Sequence, residues 1–235
     1  MRDQVRVLPP LPPSFARTQR AVHALAEHVL GVARYESEGE LSLVPTPTGI
    51  ATPTFGNGRI VAIDGTDLVA RDALGARRQP ITTLRAAAAF VGVGEGPPGG
   101  LWTSVTNFHV DEPLPINAVG VAALAGWYEL VDAALRALAQ SGVGMSPATL
   151  WPEHFDLAAI ADEVNYGGSP GDEFVEQPYL YVGPFNRPFP HAGDPYWNAA
   201  FGAVLRYDEI DTAGAAAAFF RRGRMLTTDR GPSSA

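Results

Sequence analysis

Hydrophobic residues recur every three or four positions in two long stretches of the chain, and this spacing predicts amphipathic helices. The longer stretch runs from about Asn117 to Gln140, before the helix-ending Gly142. The earlier stretch begins after Ser14, a residue type that is favoured at helix N-termini. The predicted inward faces consist of Val121, Leu124, Tyr128, Val131, Leu135 and Leu138 in the longer helix, and of Phe15, Val22, Leu25, Ala26 and Val29 in the earlier one.

Two shorter helices are predicted from the residues at their ends. The stretch "ITTLRAAAAFVG" has Thr82 or Thr83 as a cap and Gly92 as a stop signal. The stretch "TAGAAAAFFRRGR" ends in the basic cluster at 221–224, where cations would complement the free carbonyl groups of a helix C-terminus. We expect a stiff, Pro-rich lead-in at residues 1–13 and a loose tail at residues 226–235.

Alternating polar and apolar residues predict strands between and after these helices. The clearest hairpin is "RIVAIDGTDLVAR", in which Asp64 and Gly65 are predicted to adopt the two positive φ angles of a tight turn. Further strands are predicted at "LWTSVTNFHV", "HFDLAAI", "EVNYG", "PYLYVG" and "AFGAVLRY". Hairpins combined with few helices predict an α+β fold, with a mostly antiparallel sheet and a few helices packed on one face. We expect a single domain that spans residues 1–235.

Composition and charge exclude several classes of function. The formal net charge of −8 argues against a general nucleic-acid-binding protein, which needs a positive surface to neutralise phosphates. The chain contains no Cys, which excludes disulfides, thiolate metal sites and cysteine nucleophiles. It also contains no Lys, which excludes Schiff-base chemistry and the Lys-dependent Walker-type phosphate loop.

No secretory signal or membrane anchor is predicted. The N-terminal residues lack the apolar core of a signal peptide, and the sequence shows no apolar run that is long enough to cross a bilayer. We therefore expect a cytoplasmic protein that binds neither membranes nor nucleic acids. The sequence leaves its oligomeric state open.

Two glycine-rich motifs match functional patterns but lack residues that those functions need. The motif "GGSPG" at 167–171 matches the G-x-S-x-G pattern of serine hydrolases, but Pro170 has no N–H to donate to an oxyanion. A tight turn explains this motif better, because it has Pro in second place and Gly in third. The motif "GVGEG" at 92–96 follows a predicted helix and not a strand, which argues against dinucleotide binding. No catalytic residue is assigned.

The densest group of chemically capable side chains lies in "LWPEHFDLAAIADEVNYGGSPGDE", residues 150–173. Tyr and Trp combine an apolar ring with one polar tip, a mixture that is typical of ligand clefts. We expect a binding site for a small polar or cationic molecule at the C-terminal sheet, because an acidic lining disfavours anions. The predicted ligand-binding residues are Trp151, His154, Asp156, Tyr166, Asp172 and Glu173.

A second hypothesis is a metal-dependent enzyme. In an extended strand the side chains of His154 and Asp156 point to the same face. With His191 they would form a set of two histidines and one carboxylate, which are the ligands of mononuclear iron enzymes. A divalent metal is the one cofactor considered. The same His-x-Asp spacing occurs at His109 and Asp111, so a hydrogen-bonded pair without a metal is the alternative.

Two further interpretations concern the protein surface. His23, Glu27 and His28 lie close together on the first helix and are expected to belong to a polar, solvent-exposed face. A third functional hypothesis is an interaction module without a deep pocket. Such a module would bind a partner chain or a second copy of itself through exposed aromatic residues of the last third.

Five stretches of the chain resemble a group of proteins from high-GC, actinobacterial-type bacteria that has no assigned activity. These stretches are "ITTLRAAAAFVG", "LWPEHFDLA", "NYGGSPGDE", "PYLYVGP" and "YWNAAFGA". The resemblance implies a bacterial origin and a shared fold. It implies no reaction, and it carries over no catalytic residue.

Overall fold

The computed structural model describes residues 8–94, 96, 103–186, 188–189 and 191–228, and these residues form two compact units. The N-terminal unit contains residues 11–129 and 149–156. The C-terminal unit contains residues 8–10, 130–148 and 157–228. Neither unit is a contiguous segment, because the chain passes between them more than once. The predicted single domain stays a prediction.

Helices in the N-terminal unit follow the predicted pattern. Three consecutive segments are α1 (Phe15–Leu25), a π-helical turn (Ala26–Leu30) and α2 (Gly31–Glu38). All five inward residues that were predicted for the first helix are buried. Helix α3 (Leu84–Val91) also has the predicted ends. The Thr83 hydroxyl accepts a hydrogen bond from the Ala86 amide, and Gly92 ends the helix with a φ of 77°.

The first sheet belongs to the N-terminal unit and is antiparallel, with its strands neighbouring one another in chain order. Its strands are β1 (Val44–Thr46), β2 (Gly49–Ala51), β3 (Ile60–Asp64), β4 (Asp67–Asp72) and β5 (Gly75–Pro80). The predicted β3–β4 hairpin is confirmed, but its turn lies one residue later. Asp64 pairs with Asp67, so the two-residue loop is Gly65-Thr66, and Gly65 has a φ of 62°.

The predicted strand "LWTSVTNFHV" is wrong for residues 103–110, and residues 101–102 lie outside the described part of the chain. The backbone amides of Val105 and Thr106 bond to the side chain of Glu27 instead of to a neighbouring strand. A short strand forms later, at β6 (Thr149–Leu150). There Leu150 and Leu43 exchange backbone hydrogen bonds of 2.8 and 3.1 Å.

Helix α4 (Ala118–Ala139) confirms the longest predicted helix, and all six residues of its predicted stripe are buried. Its exposed side carries the 2.6 Å ion pair of Asp132 with Arg136. By length and composition α4 is apolar enough to cross a membrane, which corrects the expectation that the chain has no such stretch. Half of the most apolar 18-residue stretch of α4 is buried in the fold, as in the core helix of a soluble protein.

The second sheet contains the four predicted strands of the last third, and it is also antiparallel. These strands are β7 (Leu157–Ala161), β8 (Val164–Ser169), β9 (Tyr179–Pro184) and β10 (Ala203–Arg206). They lie in the order β10-β9-β8-β7 within the C-terminal unit, and helix α5 (Ala213–Thr228) contacts β9. Two antiparallel sheets with a small number of helices confirm the predicted α+β class.

The arginine cluster does not end helix α5 as predicted, because the helix continues to Thr228. Arg222 bonds to Asp194 at 2.8 Å and lies over the ring of Tyr196, and Arg224 pairs with Asp162 at 2.5 Å. The cluster therefore forms ion pairs within the C-terminal unit. The predicted loose tail is helical at 226–228, while residues 229–235 and residues 1–7 of the lead-in lie outside the described residues.

The β7–β8 turn carries backbone strain. Asp162 and Glu163 form its two-residue loop with φ values of 47° and 61°, a left-handed conformation that glycine adopts without steric cost. Replacing Glu163 by glycine is expected to raise the free energy of unfolding by about 1 kcal/mol. The steric relief is about 1–2 kcal/mol, and part of it is offset by the flexibility of glycine in the unfolded chain.

Chemical denaturation of Glu163→Gly and of the matched control Glu163→Ala tests this prediction. Both variants lose the carboxylate that accepts a 2.8 Å hydrogen bond from Asn186, but only the glycine variant removes the strain. A glycine variant that is no more stable than the alanine variant would contradict it.

Candidate functional site

Three of the predicted ligand-binding residues, Trp151, His154 and Asp156, lie in a turn of the N-terminal unit. The prediction that His154 and Asp156 share one face of a strand is wrong, because β7 begins only at Leu157. Phe155 between them has a φ of 55°, which interrupts the alternation of an extended chain. Trp151 and His154 are exposed and Asp156 is half-buried. Their binding of a ligand stays a prediction.

The other three predicted residues, Tyr166, Asp172 and Glu173, lie in the C-terminal unit. Tyr166 is completely buried, and its ring lies edge-on to Phe220 with centroids 6.0 Å apart. Tyr166 is therefore a core residue, which argues against its predicted role in ligand binding. Glu173 is exposed.

Asp172 holds the loop after β8 in place. Its carboxylate accepts hydrogen bonds from the Phe174 amide at 2.9 Å and the Val175 amide at 3.1 Å. The hydroxyl groups of Tyr179 and Ser169 also donate to it, at 2.6 and 3.3 Å. The acceptor positions of this carboxylate are thus used by its own loop and by the ends of the flanking strands β8 and β9, which argues against its predicted role as a ligand-binding group.

The predicted metal ligands His154, Asp156 and His191 do not form a metal site. In the part of the chain that the structure describes, no group of three or more His, Asp and Glu side chains is arranged to hold a metal ion. At the second His-x-Asp pair, Asp111 forms a 2.6 Å ion pair with Arg85. The metal-dependent enzyme therefore has no support from the geometry.

His23 is buried, which corrects the expectation that it lies on a polar surface. Its Nε2 lies 2.9 Å from the carbonyl oxygen of Pro152 and carries the proton, because a carbonyl can only accept. Its ring stacks on Phe155 with centroids 4.6 Å apart and an angle of 6° between the planes. Burial lowers the pKa of His23 to about 4, although Glu27 nearby acts in the opposite direction. A neutral His23 thus fastens the turn at 152–155 to α1.

The same turn is held from two other directions. The Tyr128 hydroxyl donates a 2.7 Å hydrogen bond to the carbonyl of Phe155, and the two rings meet at 89°. Burial raises the pKa of Tyr128 well above its usual value, and the charge of Asp156 adds to this shift. Pro152 packs closely on Gly31, where a Cβ atom would lie 3.1 Å from its ring. These contacts explain how Phe155 keeps a left-handed conformation that costs a non-glycine residue about 1–2 kcal/mol.

Glu27 is the most completely buried charged residue among those that the structure describes, and it too was expected on the surface. It lies in the π-helical turn, and its carboxylate accepts hydrogen bonds from the segment Ser104–Thr106. The donors are the Ser104 hydroxyl at 2.9 Å, the Val105 amide at 3.1 Å, the Thr106 amide at 3.2 Å and the Thr106 hydroxyl. The carboxylate thus binds a segment that has no strand partner.

His28 extends this polar cluster without completing a catalytic one. Its Nε2 lies 3.0 Å from the Ser104 hydroxyl, and burial lowers its pKa, so the ring is neutral at pH 7. Its buried Nδ1 has no hydrogen-bond partner among the described residues. The amides of Val105 and Thr106, which would be the nearest donors to an oxyanion, are taken by Glu27. We therefore assign this cluster a structural role.

The sequence contains a signal for this burial. Residues 21–33, "AVHALAEHVLGVA", contain only three polar side chains, His23, Glu27 and His28. A helix that is apolar on all sides is a buried helix, so polar residues within it are expected to be buried and hydrogen-bonded.

The open face of the first sheet forms a groove that was not predicted from the sequence. Strand pairing aligns Val44, Ala51, Ala62 and Val69 in one row across β1, β2, β3 and β4. Directly paired residues share a face, so the two small alanines form a low centre between two valines. The groove has a volume of about 390 Å³. Its other lining residues are Thr46, Thr52, Pro53, Thr54, Ile60 and Arg71.

Two arginines of this face differ in their partners. Arg78 pairs with Val69 across β4 and β5, and its guanidinium bonds to Asp64 and Asp67. Arg71 lies opposite Ile60, is exposed, and forms no hydrogen bond or ion pair with any described residue. The one charged side chain among the described lining residues is therefore a cation without a counter-ion in the described part of the chain.

Comparisons of the chain with models of known protein families, with curated proteins and with solved structures find no match. Function is therefore inferred from the contacts, burial and charges of the described residues.

Proposed function

We propose that this protein binds a small, mainly apolar molecule in the groove on the first sheet. One observation supports this function above all others. The row Val44, Ala51, Ala62 and Val69 lines a groove of about 390 Å³, and its side chains are partly exposed apart from that of the buried Ala51. Small-molecule sites have volumes of about 300–1,000 Å³ and mostly apolar linings with few polar groups.

The expected affinity follows from the area that such a ligand covers. The apolar surface that such a ligand can cover is small, so its removal from water at about 25 cal/mol per Å² contributes only about 3–4 kcal/mol. The loss of ligand motion offsets part of this gain, so we expect weak binding, with dissociation constants of about millimolar size. Binding is therefore measurable with concentrated protein.

The proposal keeps the small-molecule binding that the sequence suggested and moves it to another site. Tyr166 belongs to the core and Asp172 to a loop, so neither supports a site at the C-terminal sheet. The lining of the groove contains no carboxylate, so a preference for cationic ligands does not carry over to it. We also propose a bacterial protein that acts in the cytoplasm.

Filling the groove is expected to abolish binding. Ala62 lies at the centre of the row, so Ala62→Leu would occupy the space of the ligand and weaken binding by more than about tenfold, or more than about 1.4 kcal/mol. Fluorescence titration with the neutral probe N-phenyl-1-naphthylamine measures this change. The matched control is Ala73→Leu, an exposed alanine outside the lining. Equal binding by both variants, or no binding by the unmodified protein, would overturn the proposal.

A second candidate function is the interaction module, which is favoured by one exposed aromatic residue. Phe174 is 53% exposed and contacts Phe201 with ring centroids 5.1 Å apart, in the C-terminal unit. Native mass spectrometry of the purified protein separates the two candidates. A retained small molecule supports the groove, whereas subunit association that rises with concentration, without such a molecule, supports the module.

A further inference from the structure

Resting on the proposed function, a more specific inference concerns the chemical class of the ligand. We propose that the molecule bound in the groove carries a carboxylate, which pairs with the guanidinium of Arg71. The ligand is then an apolar body with one anionic end.

The side chain of Arg71 lies on the face of the sheet that forms the groove. Residues two apart in a strand point to the same face, so Arg71 follows Val69 on the grooved face of β4. It pairs with Ile60 of β3, which also lines the groove. The guanidinium therefore belongs to the row next to the alanine floor, at the Ile60 end of the groove.

Three other arginines lie in this sheet or directly before β3, and each of them has a partner within the N-terminal unit. Arg59 donates to the Val91 carbonyl and lies 5.6 Å from the ring centroid of Phe55. Arg77 lies 5.0 Å from the ring centroid of Phe90, and Arg78 bonds to two aspartates. Arg71 differs from all three, since none of the described residues pairs with it.

A guanidinium group favours a carboxylate as its partner. Its planar fork of N–H donors matches the two oxygens of a carboxylate, and such charge-assisted pairs are stronger than neutral hydrogen bonds. The apolar row crosses three strand spacings, or about 14 Å. An unbranched chain of about ten carbons matches this span. The carboxylate at its end and the guanidinium of Arg71 would both lie at the edge of the apolar region.

Isothermal titration with decanoate and with decan-1-ol, both below their aggregation concentrations, tests the inference. We expect decanoate to bind about tenfold more tightly than decan-1-ol at low salt, and this preference to shrink as ionic strength rises. Arg71→Gln is expected to bind the two ligands equally, with the affinity for decan-1-ol unchanged. The matched control Arg77→Gln, on the neighbouring strand and outside the lining, is expected to keep the preference.

The outcomes separate this inference from the proposed function. If decan-1-ol binds as tightly as decanoate and Ala62→Leu abolishes both, the groove is supported and the carboxylate is overturned. A preference for decanoate that survives in Arg71→Gln overturns the role of Arg71. If neither ligand binds to the unmodified protein, the groove itself fails.

Discussion

Replacing Glu27 by alanine is expected to lower the free energy of unfolding by about 4 kcal/mol, which is near the upper end for single substitutions. The variant loses a buried carboxylate that accepts four hydrogen bonds from Ser104, Val105 and Thr106. Hydrogen bonds to charged groups contribute about 1.5–3 kcal/mol each, and a buried donor that is left without a partner adds its desolvation cost. Thr106 is only 8% exposed, so water cannot fully replace the carboxylate.

Urea denaturation of Glu27→Ala, Glu27→Gln and Glu129→Ala tests this prediction. The glutamine variant keeps one acceptor oxygen and is expected to lose about half as much stability, about 2 kcal/mol. Glu129 is an exposed glutamate of helix α4, so its replacement is expected to change stability by less than about 0.5 kcal/mol. Hydrogen exchange at the amides of Val105 and Thr106 should accelerate in Glu27→Ala. A loss below about 1 kcal/mol, with both amides still protected, would contradict the structural role of Glu27.

The helices could be predicted because their information is local. The apolar stripe of α4 and the caps of α3 lie within the segments that they organise, and both appear in the structure as expected. The strand predicted from local alternation is wrong at residues 103–110, where the amides of Val105 and Thr106 bond to the side chain of Glu27, more than seventy residues earlier in the chain. Local alternation carries no information about such a partner.

The candidate residues at 151–156 were predicted from an alternation that the chain does not follow there. Phe155 has a positive φ because His23 stacks on its ring and Tyr128 bonds to its carbonyl. Both of these residues are distant in sequence, so the pattern of the segment alone indicates a strand. The high density of aromatic residues was also misleading, since Tyr166 is a core residue and large rings are mostly buried.

Predicting the groove would have required the strand register of the first sheet. The alternation in "RIVAIDGTDLVAR" predicts that Ala62 and Val69 share a face, because they belong to one hairpin. Val44 and Ala51 lie in strands of only three residues, whose pairing cannot be derived from so short an alternation. The low centre of the row exists only when all four strands are in register.

Acidification is expected to destabilise the protein through His23, by about 3 kcal/mol between pH 6.5 and pH 4. Burial lowers the pKa of this imidazole from 6.5 to about 4, so between these values the unfolded state binds a proton that the folded state does not. The contribution is fully present above pH 6.5 and is lost as the pH falls towards 4, and each pKa unit corresponds to about 1.4 kcal/mol. The charges that face His23 are those of Glu27, His28 and His154.

The variant His23→Phe isolates this contribution, because phenylalanine keeps a ring against Phe155 but takes up no proton. Its loss of the hydrogen bond to Pro152 is expected to cost about 1 kcal/mol at every pH. The difference in stability between the unmodified protein and His23→Phe should therefore change sign as the pH falls from 7 to 4. The exposed His109 provides the control, since His109→Phe should retain the pH dependence of the unmodified protein. If His23→Phe retains that dependence as well, the proton uptake lies elsewhere, and the neutral His23 is not what fastens the turn at 152–155.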